Sequence, residues 1–212
     1  MAVLTGKRAA RTRQSLLAAG FDLLVDRPLD AIPIDDVVSA AGVAKGSFFN
    51  HFVDKGGFAT AMAAEIRLEL EARISKANDD VGDPLARLAG GMQVAVEFAL
   101  QERKRTIALL RSSSSATSQD HPLNQGVKAD IQASISAGLL RKEAAATGVL
   151  FWLGLCQVMM ANIAEHNITR SAAAGKLHEM LVLGLTGLGA EEPSAKKIAH
   201  HASQILLTSS TT

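Results

Sequence analysis

Between Lys142 and Glu165 a single charged side chain, Glu143, interrupts the sequence. The stretch from Ala144 to Ala164, centred on Trp152, Leu153 and Leu155, is about as long as a helix that crosses a bilayer. A run this apolar has to be covered, by lipid or by protein. Thr147, Gly148, Gln157 and Asn162 break its apolarity and no comparable stretch precedes it. These features favour a helix buried on all sides, inside a bundle or a subunit interface, over a membrane span. Its surroundings are expected to be helical too. The chain is 48% hydrophobic but only 4% aromatic, with no Tyr and 1 Trp. The core must therefore be built from Leu, Ala, Val, Ile and Met, which are mostly good helix formers and poor material for a β-sandwich. The expected class is all-α.

A chain of 212 residues folds as one or two domains without needing a disulfide or a structural metal. Lys and Arg number 22 against 21 for Asp and Glu, so any surface that binds an anion has to be local. The single Cys156 excludes an intrachain disulfide and a CxxC site, and fits a reducing compartment. No signal peptide is apparent after the basic residues Lys7, Arg8, Arg11 and Arg13, so the cytoplasm is the expected location. No catalytic group, metal or cofactor is expected. The six His are scattered, and His200 and His201, being adjacent, cannot share one helical face around a metal. Gly184, Gly187 and Gly189 read GxxGxG after a helix instead of GxGxxG after a strand. The serine run Ser112 to Ser115 carries neither a GxSxG nor an SxxK pattern and reads as a loop.

Gly and Pro divide the chain into helical blocks. Leu17, Phe21, Leu24 and Val25 recur at helical spacing in a first helix from Arg8 to Val25, which Arg27-Pro28 stops. Pro33 is placed to open a second helix, with Asp35 and Asp36 in the first turn, where the helix dipole favours acids. Gly42 suits a left-handed cap, and a short block from Ala44 to Phe52 follows it almost at once. Asp54 can cap a helix through Phe58, Met62, Ile66 and Leu70 toward Arg73. After the break at Asn78 to Pro84, helices are expected over Leu85–Leu110, Leu123–Leu140, Glu143–His166 and Ala172–Leu188, with one short helix after Glu191.

The informative stretch is Ala31 to Phe58. An apolar-faced helix, a tight turn at Gly42 and a second helix that begins with small residues is the geometry that lays a helix end in the major groove of DNA. Ala44, Gly46 and Ser47 allow close backbone approach; Lys45, Ser47, Asn50 and His51 can donate to phosphates or base edges. Phe48 and Phe52 lie four apart and point back to the core. Lys55, at the start of the next helix, adds a cation suited to a phosphate.

Ile34 to Val38, Ala41-Gly42-Val43, Gly46-Ser47-Phe48, Asn50-His51-Phe52 and Lys55 in this order resemble the signature of the TetR family of transcriptional regulators. The resemblance is dense over about residues 8 to 58 and weaker beyond, where Gly138-Leu139-Leu140-Arg141 before a long apolar helix agrees with it. It implies an N-terminal three-helix helix-turn-helix DNA-binding domain over residues 1–56 and a C-terminal helical effector-binding and dimerisation domain over 57–212. Lys45, Gly46 and Ser47 would lie at the groove-facing end of the recognition helix, Phe49 and His51 against the sugar-phosphate backbone, and Lys55 on a phosphate. The basic segment with Arg11 and Thr12 would add salt-sensitive backbone contacts. Two positions depart from the pattern: Phe49 stands where Tyr is common, and Ile32-Pro33 where a Thr or Ser often caps the second helix.

One short recognition helix needs a second copy for affinity and half-site spacing, so a two-fold homodimer on a double-stranded operator is expected. The helices 144–164 and 172–188, with Gly148, Gly154, Ala161, Ala173, Gly184 and Gly187 permitting close approach, are the natural interface. The resemblance further implies a pocket for a small-molecule effector that releases a repressor from DNA. Its candidate lining is Met62, Ile66, Met92, Val96, Ile135, Trp152, Cys156 and Met159, which suits an apolar or amphipathic ligand. The competing expectation is a helix-turn-helix protein without an effector.

Overall fold

The computed structural model describes residues 2–24, 26–27, 31–111 and 124–209, with side chains from residue 7 onward, and every regular element among them is a helix. In chain order these are α1 (Ala2–Leu23), α2 (Ile34–Ala40), α3 (Lys45–Phe49), α4 (Lys55–Asn78), α5 (Pro84–Gln101), α6 (Arg103–Arg111), α7 (Gln125–Ser136), α8 (Ala144–His166), α9 (Arg170–Gly187) and α10 (Glu192–Thr208). They fall into two compact units. The first holds α1, α2, α3, α4 as far as Arg67, and α6 from Lys104; the second holds α4 from Leu68, α5 and α7 to α10. The expected stop at Val25 and Pro28, the serine run and Leu123 lie outside the described residues.

In the first unit, Leu16 and Leu17 of α1, Val37 and Val38 of α2, Phe48 of α3 and Phe58, Met62 and Ile66 of α4 close a common core. Gly20 sits in the interior of α1, where helix propensity alone disfavours it. Packing explains it, since a Cβ there would lie 2.5 Å from Phe58 Cζ and 2.9 Å from Met62 Sδ. Gly20→Val is expected to cost about 1–3 kcal/mol through overpacking, outweighing the helix-propensity gain. Chemical denaturation checks it: an unchanged midpoint would mean that α1 and α4 move apart freely.

In the second unit α5, α8, α9 and α10 bury their apolar faces together, among them Leu88, Met92, Val96, Trp152, Leu177, Leu181 and Leu206. Arg87 of α5 donates through Nε to Asp130 Oδ1 of α7 (2.6 Å) and through Nη1 to the Val81 carbonyl (3.0 Å), tying the α4–α5 connection to α7. Burial pushes the Asp130 carboxyl above its usual value, while the hydrogen bond and charge of Arg87 pull it back down.

Four expectations about the elements are corrected. The helix expected over Leu85–Leu110 breaks at Glu102 (φ −116, ψ 46). Arg103, the next residue, turns its guanidinium onto the Ala164 and Glu165 carbonyls at the end of α8, which the run of helix formers around it does not reveal. The helix after Glu191 is not short. It spans 17 residues, because Pro193 opens it and Ala195, Ala199, Ala202 and Leu206 repeat on one buried face. The first helix begins at Ala2 instead of Arg8, six residues earlier than expected. Finally, α8 is not buried on all sides within one chain. Trp152, Met159 and Ile163 are buried, yet Leu150, Phe151 and Val158 are exposed, and only 33% of its most apolar window is covered. By length and composition alone this helix could cross a membrane.

A candidate nucleic-acid interface

The site is built on the tight turn between α2 and α3. Gly42 adopts φ +66, which brings Val43 N onto the Val38 carbonyl at 3.0 Å and Gly42 N onto the Ser39 carbonyl at 3.1 Å. A side chain at position 42 would strain this left-handed geometry. Below the turn, Phe48 packs on Phe52 and Phe58 with ring centroids 5.4 and 5.3 Å away, and Phe52 meets Phe58 edge-on at 4.9 Å. Three interlocked rings fix the rotation of the five-residue α3, which is too short to hold itself helical.

With Phe48 turned inward, the opposite face of α3 is set. Lys45, Gly46, Phe49 and Asn50 are exposed, and Ser47 and His51 are half-buried at its edges. Apart from its chain neighbours and the backbone of α3 itself, no heavy atom of the described residues lies within 4 Å of a Cβ built at Gly46, so a partner's surface can approach the backbone there closely. Phe49 is 52% exposed although its ring packs edge-on to Phe48 at 5.5 Å. Val53, in the turn after α3, is 90% exposed. Lys55 is the first residue of α4 and is half-buried. Asp54 caps that helix, its Oδ1 accepting from Gly57 N at 2.7 Å.

Of the basic residues ahead of this unit, Arg11 is exposed on α1 and Thr12 donates to the Arg8 carbonyl at 3.1 Å. Arg13 is tied inward, 2.7 Å from Glu65 and 5.8 Å above the Phe52 ring. No side chain caps α2; Pro33 occupies its N-cap, and its carbonyl accepts from Asp36 N at 3.1 Å. The first-turn carboxylates of α2 have partners that sequence reading missed. Asp36 pairs with Arg27 at 2.6 Å, and Asp35 pairs with Lys45 at 2.8 Å. Both pairs join α2 to residues outside it, so no i,i+4 spacing could have announced them.

The candidate effector residues are divided between the two units. Met62 and Ile66 belong to the first unit and are fully buried in its core. In the second unit Met92, Val96 and Trp152 are closed core, Met159 is buried, and Ile135 and Cys156 are half-buried. Trp152 packs so tightly on α9 that a Cβ at Gly184 would lie 3.1 Å from its ring. A groove of about 250 Å³ runs between α8 and α9, lined by Val158, Met159, Asn162, Lys176, Glu179, Met180 and Leu183. Met159 is the one candidate among its lining residues.

Residues 16–62, which contain α2, α3 and the turn between them, match the family model of bacterial regulatory proteins of the tetR family. The chain is 46% identical over 52 residues to the uncharacterized HTH-type transcriptional regulator YwcC of Bacillus subtilis (strain 168), covering 24% of this chain and 23% of that one. It is 35% identical over 80 residues to the HTH-type transcriptional repressor DhaR of Mycobacterium sp. (strain GP1), covering 37% and 40%. The matches thus span less than half the length of these relatives. In fold the chain is similar to the crystal structure of RolR in complex with resorcinol, with a TM-score of 0.60 at 17% identity, over 92% of this chain and 95% of that one.

Proposed function

We propose, because the N-terminal helix-turn-helix domain of this chain belongs to the tetR family of bacterial regulatory proteins, that the protein is a dimeric, sequence-specific DNA-binding transcriptional regulator. The observation that carries this reading is the exposed face of α3, where Lys45, Gly46, Phe49 and Asn50 stand clear of the core that Phe48, Phe52 and Phe58 close beneath them. Exposed donors and an unobstructed glycine on a rigidly held helix are what reading base edges in the major groove requires. Phe49 presents an apolar edge suited to a thymine methyl or a sugar. Lys55, Arg11 and Thr12 belong to the set that positions the protein on phosphates, and His51 stands beside them.

The second copy binds through α8 and α9. Leu150, Phe151 and Val158 of α8 and Leu183 of α9 leave an apolar face open in the single chain, and a two-fold partner covers it with the same face. The two domains are taken as residues 1–56 and 57–212. The protein acts as a repressor, a reading supported by the name of DhaR. A small apolar or amphipathic effector, held in the helical domain among residues such as Met92, Val96, Ile135, Trp152, Cys156 and Met159, releases it from DNA. That the structural neighbour RolR carries resorcinol supports a small aromatic molecule as the first probe.

Selection from a random duplex library at near-physiological salt tests the reading. Recovery of a palindrome with half-sites about one helical turn apart is expected; sequence-blind binding only would overturn it. Adding resorcinol and related phenols to the selected complex then tests release. On the selected duplex, Lys45→Ala is expected to cost about 1–3 kcal/mol and to relax preference at one position. Lys55→Ala is expected to weaken all sequences alike and to shallow the salt slope by about 1. Titrations at several salt concentrations separate the two; undiminished binding in both variants would remove these residues from the interface.

A further inference from the structure

Resting on the DNA-binding reading, we propose that Asp35 is a specificity-determining residue, an internal counter-ion that keeps Lys45 from binding phosphates indiscriminately. The Lys45 ammonium lies 2.8 Å from Asp35 Oδ1 and 3.0 Å from Oδ2, so the carboxylate holds it with both oxygens. Both side chains stay open to solvent, Lys45 at 58% and Asp35 at 65%. The pair therefore does not serve the core, and as an exposed pair it adds little to folding. A place in the first turn of α2 accounts for an acid at position 35 through the helix dipole. It does not account for the cation across the turn.

Lysine is a flexible point charge that any phosphate can satisfy. Paired with Asp35, its ammonium sits at the start of α3, and phosphates approaching it meet an adjacent negative charge. A sequence that offers Lys45 a guanine edge, or Asp35 the amino group of cytosine, compensates for that repulsion. A mismatched duplex does not. Neighbouring Asp36 is already engaged by Arg27 at 2.6 Å, which leaves Asp35 as the carboxylate that faces Lys45.

The test compares the full-length protein with Asp35→Asn and with Asp35→Glu, which keeps the charge. Each is titrated, at several salt concentrations, on a mixed-sequence duplex and on the duplex selected by the unmodified protein. Asp35→Asn is expected to bind the mixed duplex about twofold to fivefold more tightly, with the log–log salt slope steeper by about 0.9 for one phosphate gained. Binding to the selected duplex should not rise with it, so the ratio of the two affinities falls, and Asp35→Glu should restore that ratio. An unchanged mixed-duplex affinity and slope, or an equal gain on both duplexes, would overturn the role of Asp35 while leaving DNA binding intact. Failure of the unmodified protein to bind any duplex would overturn the DNA-binding reading itself, and this inference with it.

Discussion

Leu183→Glu is expected to convert the proposed homodimer into a folded monomer. Leu183 is 68% exposed on α9, where it lines the groove beside Val158 and Met159 of α8. A charge there costs the single chain almost nothing, because the side chain already meets water. In a two-fold interface each carboxylate is buried near its own symmetry mate's surface without a built-in partner. Two such unpaired groups cost at least about 4 kcal/mol together, which raises the dimer dissociation constant about a thousandfold. Sedimentation velocity reads the result directly, with circular dichroism as the control for folding. Because a palindrome is read by two linked heads, binding to the selected duplex should fall with it. A dimer that persists would place the interface on another face.

Arg170→Ala is expected to be the most damaging single change away from the hydrophobic core. The Arg170 guanidinium, in the first turn of α9, grips Glu97 of α5 with both arms (2.7 and 2.8 Å) and donates to the Leu206 carbonyl of α10 at 2.9 Å. The pair is largely buried, with side-chain exposures of 25% and 14%. The hydrogen bond to Glu97 holds the guanidinium's pKa above its usual value. Truncation removes the charge partner of the Glu97 carboxylate, leaving it the Gln101 amide as a donor at 2.6 Å, and frees a carbonyl of the last turns of α10, at a cost of about 3 kcal/mol. The expected signature is a marked loss of melting temperature. Glu97→Gln, which keeps one acceptor for Arg170, should lose clearly less. Equal, small losses in both variants would show the network to be screened by water.

Much of this architecture was legible from local chemistry. The all-α class followed from a core poor in aromatics, and the turn between α2 and α3 from Gly42, whose positive φ a larger residue resists. The inward turn of Phe48 and Phe52 followed from their spacing, and Asp54 caps α4 as its residue type suggests. Other features had no local signature. The break at Glu102 sits among good helix formers, because what interrupts the helix is Arg103 reaching the end of α8. The length of α10 was masked by its small side chains: Ala195, Ala199 and Ala202 form a buried stripe against the rest of the second unit without looking hydrophobic.

The candidate effector residues illustrate the same boundary. Met, Trp and Val at helical spacing declare that a face is buried, but a closed core and a cavity wall demand the same residue types. Met62 turned out to press on Gly20 within the first unit, while Met159 reaches the open groove between α8 and α9. Sequence by itself determined the all-helical class, where the tight turn falls and which face of α3 turns away from the core, since those depend on backbone propensity and short-range periodicity. Only the tertiary structure decided that Lys45 is held by Asp35, that Arg170 clamps Glu97, and that one side of α8 remains uncovered. Each of those depends on groups distant in sequence meeting at a few ångströms, and the geometry of such meetings is set by the packing of whole helices.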